Sequence, residues 1–303
     1  MKIRILSDLH IDINGKYPLE LEDKDVFTVI AGDTSSHPDL TSKWIDNNIH
    51  NGLFIAGNHI VYNHDIKSLE QLKQMLADKY PIDNSVTFLD VSTGTFYKEV
   101  NGIIFIGTTL YTDYKALAPK IKVKQSMSIG NRGLNDFKIG KTLNKNGKLD
   151  ILTPEHYKKL FYESMKVITK VVEENPNKDI VIITHHCPSL KCISNRYSTS
   201  VINASYVSKL DKFIEEHKNI KCWICGHVHH RDNFNIGDCK VILNPRGYEA
   251  HSECDDWTPN CYLDTDTWTL EKVGYHNEQW EKQREEDRKI FEEWYNKYGR
   301  MFI

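Results

Sequence analysis

The chain has 303 residues, of which 40% are hydrophobic and 27% charged, and its formal net charge is −3. That length accommodates one large α/β domain with elaborations or two small domains, and the composition excludes a disordered chain. A chain near neutrality gives no global electrostatic case for nucleic acid or membrane binding, although counts leave a local basic patch open.

The chain opens on an apolar strand, Lys2–Leu6, with no signal-peptide core before it. No apolar run reaches the roughly 18 residues of a membrane span, so a cytoplasmic protein is expected. A second buried strand, Val26–Ile30, ends at Gly32. A helix is predicted from Asp39 to about Asn48, then a short strand, Leu53–Ala56, ending at Gly57. Leu69, Leu72, Met75 and Leu76 at helical spacing predict a helix from Asp65 to about Lys79. Val86–Val91 reads as a strand, and Thr95–Val100 with Ile103–Thr108 flanks Asn101-Gly102, a strong hairpin signal.

Lys115 to Leu152 differs in kind, being rich in Lys, Asn and Gly with weak periodicity, and reads as an insertion or lid. Cations among its residues, Lys115, Lys120, Lys122, Lys124, Arg132 and Lys138, would suit a cover over an anionic substrate; a solvated loop is the alternative. Thr153 and Pro154 then open a helix to about Glu174 as cap and first residue. Asp179–Thr184 is a continuous apolar strand. A helix from about Ser205 to His217 leads to the strand Lys221–Cys225. Hairpins are predicted from Asn233 to Val273. A charged helix with an aromatic stripe is predicted over the tail, 276–303, packed on a domain of residues 1–275.

Seven cysteines, an odd number lying between Cys187 and Cys261, read as reduced thiols. Cys222-Trp223-Ile224-Cys225 has CxxC spacing but lies inside a strand, and no second CxxC completes a zinc site; it reads as two small apolar residues. The succession of strand, loop and helix, followed by hairpins, implies a layered α/β sandwich rather than a pure Rossmann fold.

Five polar clusters each follow an apolar strand: Asp8-Leu9-His10, Gly32-Asp33, Gly57-Asn58-His59, His185-His186 and Gly226-His227-Val228-His229. Functional groups collect where the strands of α/β sheets end, so the five can share one crevice. Asp8 with His10, and His227 with His229, place ligands two positions apart on one side of an extended segment. The oxygen and nitrogen donors suit Mn, Fe, Zn, Co or Ni, and seven ligands suit two ions rather than one. Taken singly, Asp8, Asp33 and Asn58 could be plain turn residues; their joint occurrence at strand ends argues against that. His185 is the candidate ligand because it lies nearest the strand end, with His186 behind it or facing solvent. His37, His50, His64 and His230 read as loop histidines.

The motifs D-x-H, G-D, G-N-H, a strand-end His and G-x-H-x-H, in this order from Asp8 to His229, resemble the calcineurin-like metallophosphoesterases. The resemblance implies a four-layer α/β/β/α sandwich of two mixed sheets flanked by helices. It implies one divalent transition-metal ion on Asp8, His10, Asp33 and His229. A second would sit on Asp33, Asn58, His185 and His227, with Asp33 bridging and Mn favoured. His59 would face the leaving-group oxygen without binding metal. Two cations would attract a phosphate ester and make hydroxide available from a bridging water near neutral pH.

Departures matter too. Ile60 stands where many members carry an acid after G-N-H, so no group that orients His59 is visible. Ser36 stands where purple acid phosphatases have Tyr, and the segment after Asp33 is not that of protein Ser/Thr phosphatases. Gly107–Asp113, Asn135-Asp136-Phe137 and Asn244-Pro245-Arg246-Gly247-Tyr248 resemble a bacterial and phage branch. There Arg246 is a candidate phosphate contact or an ordinary turn anchor. The implied activity is hydrolysis of phosphate esters, diesters favoured by analogy, with a nucleotide or oligonucleotide among the candidate substrates. The alternatives are a phosphomonoesterase, a nuclease, and a non-catalytic binding module on the same fold.

Overall fold

The computed structural model describes residues 1–14, 19–62, 66–254 and 257–272. The tail predicted to be helical lies outside them.

The first half alternates strands and helices: β1 (Lys2–Leu6), β2 (Phe27–Ile30), α1 (Pro38–Asn48), β3 (Gly52–Phe54), α2 (Leu69–Lys79) and β4 (Val86–Phe88). Ser68 caps α2 reciprocally with Gln71, its backbone N–H donating at 2.9 Å and its hydroxyl accepting at 3.3 Å. β5 (Tyr97–Val100) and β6 (Ile103–Thr108) form the expected hairpin. Asn101 and Gly102 both take positive φ at its turn, as a twisted two-residue loop requires. Next come α3 (Val123–Gly133), α4 (Asp136–Ile139), β7 (Lys141–Leu143), β8 (Leu149–Ile151) and α5 (Pro154–Glu174). The chain then runs through β9 (Ile180–Thr184), α6 (Asp211–Glu216), β10 (Ile220–Cys225), β11 (Asp232–Ile236), β12 (Cys239–Leu243), β13 (Cys261–Asp264) and β14 (Thr269–Lys272).

Two mixed six-stranded sheets result, ordered β14-β13-β1-β2-β3-β4 and β11-β12-β10-β9-β6-β5, with β7 and β8 as a small separate hairpin. Period-two burial on both faces makes four layers. Ile3, Ile5, Val29 and Leu53 of the first sheet meet Phe105, Val181, Ile183 and Ile224 of the second in a core between the sheets. The opposite faces pack under helices: Leu6, Ile30 and Phe54 against Trp44, Leu72 and Leu76, and Ile106, Ile182 and Trp223 against Phe161, Ile168 and Ile214. Cys222 and Cys225 fall in different cores, on opposite faces of β10, so the CxxC spacing brings no pair of thiols together.

Two expectations are corrected. The helix predicted from Ser205 is confined to Asp211–Glu216. Residues 206–208 run beside Cys187, whose N–H donates to Tyr206 O at 3.2 Å and whose carbonyl accepts from Ser208 N at 2.9 Å, and that pairing outcompetes helix formation. The hairpins expected after Asn233 are split between the sheets, β11 and β12 on the second, β13 and β14 on the first. Segment 115–152 holds two helices and a hairpin. Met127, Leu134 and Phe137 drop into the outer core of the first sheet, at irregular intervals that hide any period.

A buried ion pair fastens α2 to the turn after β4. Lys73 Nζ lies 2.7 Å from Asp90 Oδ2 with both side chains 2% exposed. Asp90 also accepts from Ser92 N at 2.9 Å. Removing the cation leaves a carboxylate in a dry site. Lys73→Met is expected to lower unfolding free energy by about 3–5 kcal/mol in urea titrations, with much of it restored in Lys73→Met/Asp90→Asn. A loss below about 1 kcal/mol would show that the pair does not hold this junction.

Candidate metal centre

The strands β1, β2 and β3 are parallel, as are β9 and β10, and the polar clusters follow their C-terminal ends. Ser7 bridges Pro245 across the sheets, so both rims meet there. The turns leaving the strands are sharp. Asp8, His10, Asp33, His227 and His229 all take left-handed φ, at 50°, 44°, 49°, 71° and 48°. Non-glycine residues rarely adopt that region, and each costs on the order of 1–3 kcal/mol to hold. Gly57 and Gly226 are demanded by close approach, since a Cβ at either would strike the Asp33 or the Asp8 carboxylate.

All seven expected ligands come together. His10, Asp8 and His229 form one group of converging donor atoms; Asp33, His185 and His227 form a second; Asp33 also groups with His10 and His59. His10 Nε2 and His229 Nε2 face each other at 3.1 Å, and His229 Nε2 is 3.4 Å from Asp8 Oδ1. His185 Nε2 is 3.1 Å from Asp33 Oδ2 and 3.0 Å from Asn58 Oδ1. His227 Nε2 is buried with no hydrogen-bond partner.

The surroundings aim these atoms inward. The outer nitrogen of His185 meets Ala31 O at 2.9 Å, and that of His229 meets Glu253 Oε2 at 2.7 Å. A backbone carbonyl or a carboxylate behind an imidazole fixes the tautomer that leaves the inner nitrogen for a metal. Asn58 Nδ2 donates to Asp136 Oδ1 at 3.0 Å, which turns its carbonyl oxygen toward the centre. Asp136 is itself held by Tyr157 at 2.6 Å and Tyr62 at 2.8 Å. Asp8 accepts from His227 N at 3.0 Å, and Asp33 from His59 N at 3.0 Å. Oxygen and imidazole donors, an orphaned buried nitrogen and two carboxylates fit divalent transition metals.

Electrostatics divides the imidazoles. Burial holds His10 down at about 4 and keeps His227 well below the usual range, so both present neutral rings. Burial would depress His185 and His229 as well. The charge and hydrogen bond of Asp33 outweigh it and carry His185 up to about 9; Asp8 and Glu253 carry His229 up to about 10. Asp33 is held well below the carboxylate range, since His185 and His59 outweigh its burial.

The residues beyond the ligands divide as follows. His186 is fully buried, its ring 4.2 Å from that of His227, and burial lowers it to about 3, so it does not face solvent. His59 Nε2 is 3.2 Å from Tyr248 Oη, and its ring lies 4.2 Å from that of Tyr62. The group beside His59 is thus a tyrosine rather than the acid sought after Ile60. Arg246 is not brought to the cavity. It is 4% exposed and donates to Glu249 at 2.9 Å. Sequence reasoning missed Tyr62, Tyr157, Tyr248 and Glu253. Of these only Tyr248 carried a signal, through its place in the Asn244–Tyr248 stretch.

A layered α/β sandwich with His, Asp and Asn side chains converging at its strand ends defines a metal-binding hydrolase class. The family model described as calcineurin-like phosphoesterase matches residues 1–231, and the chain belongs to that family. No curated protein matches it in sequence. Among solved structures it is similar to phosphopantetheinyl hydrolase from Mycobacterium tuberculosis, at 16% identity and a TM-score of 0.60 over 82% of this chain and 90% of that one. A putative 5'-nucleotidase from Staphylococcus aureus matches at 14% identity and a TM-score of 0.44, over 97% of this chain and 58% of that one. A dimetal phosphatase from Danio rerio matches at 11% and 0.42, over 80% and 86%.

A metal must displace the protons that His185 and His229 hold, so binding releases protons and weakens as pH falls below about 9. Calorimetric Mn²⁺ titration is expected to show affinity rising about tenfold per pH unit for each proton displaced, between about pH 6.5 and about pH 8.5. An affinity independent of pH would contradict the protonation assigned to the metal-free site.

Proposed function

We propose that the chain hydrolyses phosphate esters with two divalent metals, phosphodiesters favoured. The convergence of Asp8, His10, Asp33, Asn58, His185, His227 and His229 on one crevice carries this reading. One ion would be held by Asp8, His10, Asp33 and His229, the other by Asp33, Asn58, His185 and His227, with Asp33 shared and manganese the favoured occupant. Bound there, the pair would supply Lewis acidity and a water of lowered pKa.

The chain's own groups do the rest. Asn58 presents its amide oxygen because Asp136 holds the amide nitrogen. His59 faces the cavity and would pass a proton to the departing alkoxide. Tyr248 holds His59 by its Nε2, and burial with the Asp33 and Asp8 charges pushes the phenol pKa up, so the hydroxyl keeps its proton. The cavity of about 490 Å³ extends past the ligands and leaves room for the organic group of an ester; the preference for diesters rests on the family analogy.

Manganese-loaded protein is expected to cleave nitrophenyl phosphodiesters faster than nitrophenyl phosphate, and metal analysis to find close to two ions per chain. Asp33→Ala should lose both ions and the activity together. Full metal retention by Asp33→Ala would remove Asp33 from its shared position, and a faster monoester would reverse the preference.

His59→Ala is expected to keep its metal while losing about ten- to ten-thousand-fold in rate, less for nitrophenol than for alkyl leaving groups. An equal loss across leaving groups would assign His59 a positional role instead.

A further inference from the structure

The cavity that leaves the ligand cluster has walls of an unusual kind for a site facing phosphate. Tyr62, Tyr197, Tyr206 and Tyr248 contribute rings to it. Leu134, Ile193, Ile202 and Val228 contribute aliphatic surface, and Asn135, Ser194 and Ser200 uncharged polar groups. The rings run from the ligands outward. Tyr206 lies 4.9 Å from the His227 ring, and Tyr197 is 53% exposed.

Among the described residues, no Lys or Arg lines this cavity. The acids away from the ligands are already engaged, Asp136 by Asn58, Tyr62 and Tyr157, Glu253 by His229 and the Tyr248 N–H. Of the cations of segment 115–152, Lys141 is half-buried and the others are exposed, and none lines the wall. A second phosphate entering here would leave water for aromatic and aliphatic surface with no cation opposite, at a cost that a few hydroxyls and amides do not offset. A flat, uncharged ring system would lose little and gain stacking area.

We infer, resting on the phosphoesterase reading above, that the substrate's organic group is an uncharged alcohol of nucleoside type, carrying a flat heteroaromatic ring. It bears no further phosphate, which sets the site against polyphosphates and nucleic-acid backbone. The wall residues of segments 133–135 and 193–206 set this preference, and Ser194 is an uncharged wall position at which a cation can be introduced.

The experiment uses the metal-loaded full chain and three esters with the same nitrophenolate leaving group: methyl, thymidine 5'-, and 3'-phosphorylated thymidine 5'-nitrophenyl phosphate. Hydrolysis of the methyl ester reports the phosphoesterase reading; the ratios report the inference. The thymidine ester is expected to exceed the methyl ester in kcat/KM by about tenfold or more, and the added 3'-phosphate to remove most of that gain. Tyr197→Ala should lower the thymidine-to-methyl ratio through KM. Ser194→Lys should restore the 3'-phosphorylated ester. A 3'-phosphorylated ester that outperforms the plain thymidine ester, or a ratio near unity in the wild type, overturns the inference while leaving the phosphoesterase reading intact. If no ester is cleaved, that reading falls, and binding decides the inference. Thymidine 5'-phosphate should then bind the metal-loaded protein more tightly than thymidine 3',5'-bisphosphate, and the reverse order overturns it.

Discussion

Five of the seven converging side chains depend on backbone that an L-residue resists. Asp8, His10, Asp33, His227 and His229 each sit at positive φ, just past the end of a buried strand. The left-handed turn throws each side chain sideways into the crevice instead of letting it continue the alternation of its strand. Such conformations persist only where the surroundings over-determine them. Here those surroundings are the two sheets. Asp8 N donates to Gly32 O and His10 N to Asp33 O, both at 3.0 Å, so the β1 and β2 turns hold each other. Gly226 N donates to His185 O at 3.1 Å and does the same for β9 and β10. The core between the sheets keeps the two rims at a fixed separation, and without it neither half would present a complete ligand set.

Orientation is a second constraint, met from outside the strand ends. A histidine or asparagine can turn the wrong atom inward, and the outer hydrogen bond decides which one faces the centre. Ala31 does this for His185, Glu253 for His229 and Asp136 for Asn58. These three come from separate parts of the chain. The last lies in the polar segment between β6 and α5, and its carboxylate is buried under two tyrosine hydroxyls. The same aromatic residues then serve twice, since Tyr62 packs on His59 while donating to Asp136.

The strands that carry the ligands were legible because burial on both faces makes continuous apolar runs, and such runs stop where the chain turns toward solvent or a site. The converging side chains were legible as candidates because Asp8 with His10, and His227 with His229, repeat at one spacing after such runs. Orienting residues leave no comparable mark. Glu253 and Tyr248 lie in an irregular loop, and Asp136 stands in a stretch whose period is broken by two short helices and a hairpin. The helix expected from Ser205 failed for a related reason, because the pairing of residues 206–208 with Cys187 is a long-range contact that local propensity does not encode. Arg246 shows the converse. A cation after a strand next to a candidate metal centre invites a functional role, yet Glu249, three residues on, pairs with its guanidinium.

In segment 115–152, composition and placement carry different information. Counting charges gives a basic stretch beside the candidate metal centre, and a count carries no direction. In the folded chain all of its cations but the half-buried Lys141 take the solvent side, where their hydration is kept, while Met127, Leu134, Phe137 and the Asp136 carboxylate take the inner side. Burying lysines toward the crevice would have required acidic partners there, and the acids of the crevice are committed to histidine and asparagine. The inner face is left to rings, aliphatic groups and amides, so in the metal-free site the positive charge near the crevice is that of His185 and His229, whose protons a bound metal would replace with its own charge. Among the described residues, charge is thereby concentrated at the candidate ligand cluster, and the rest of the cavity wall offers shape and stacking surface.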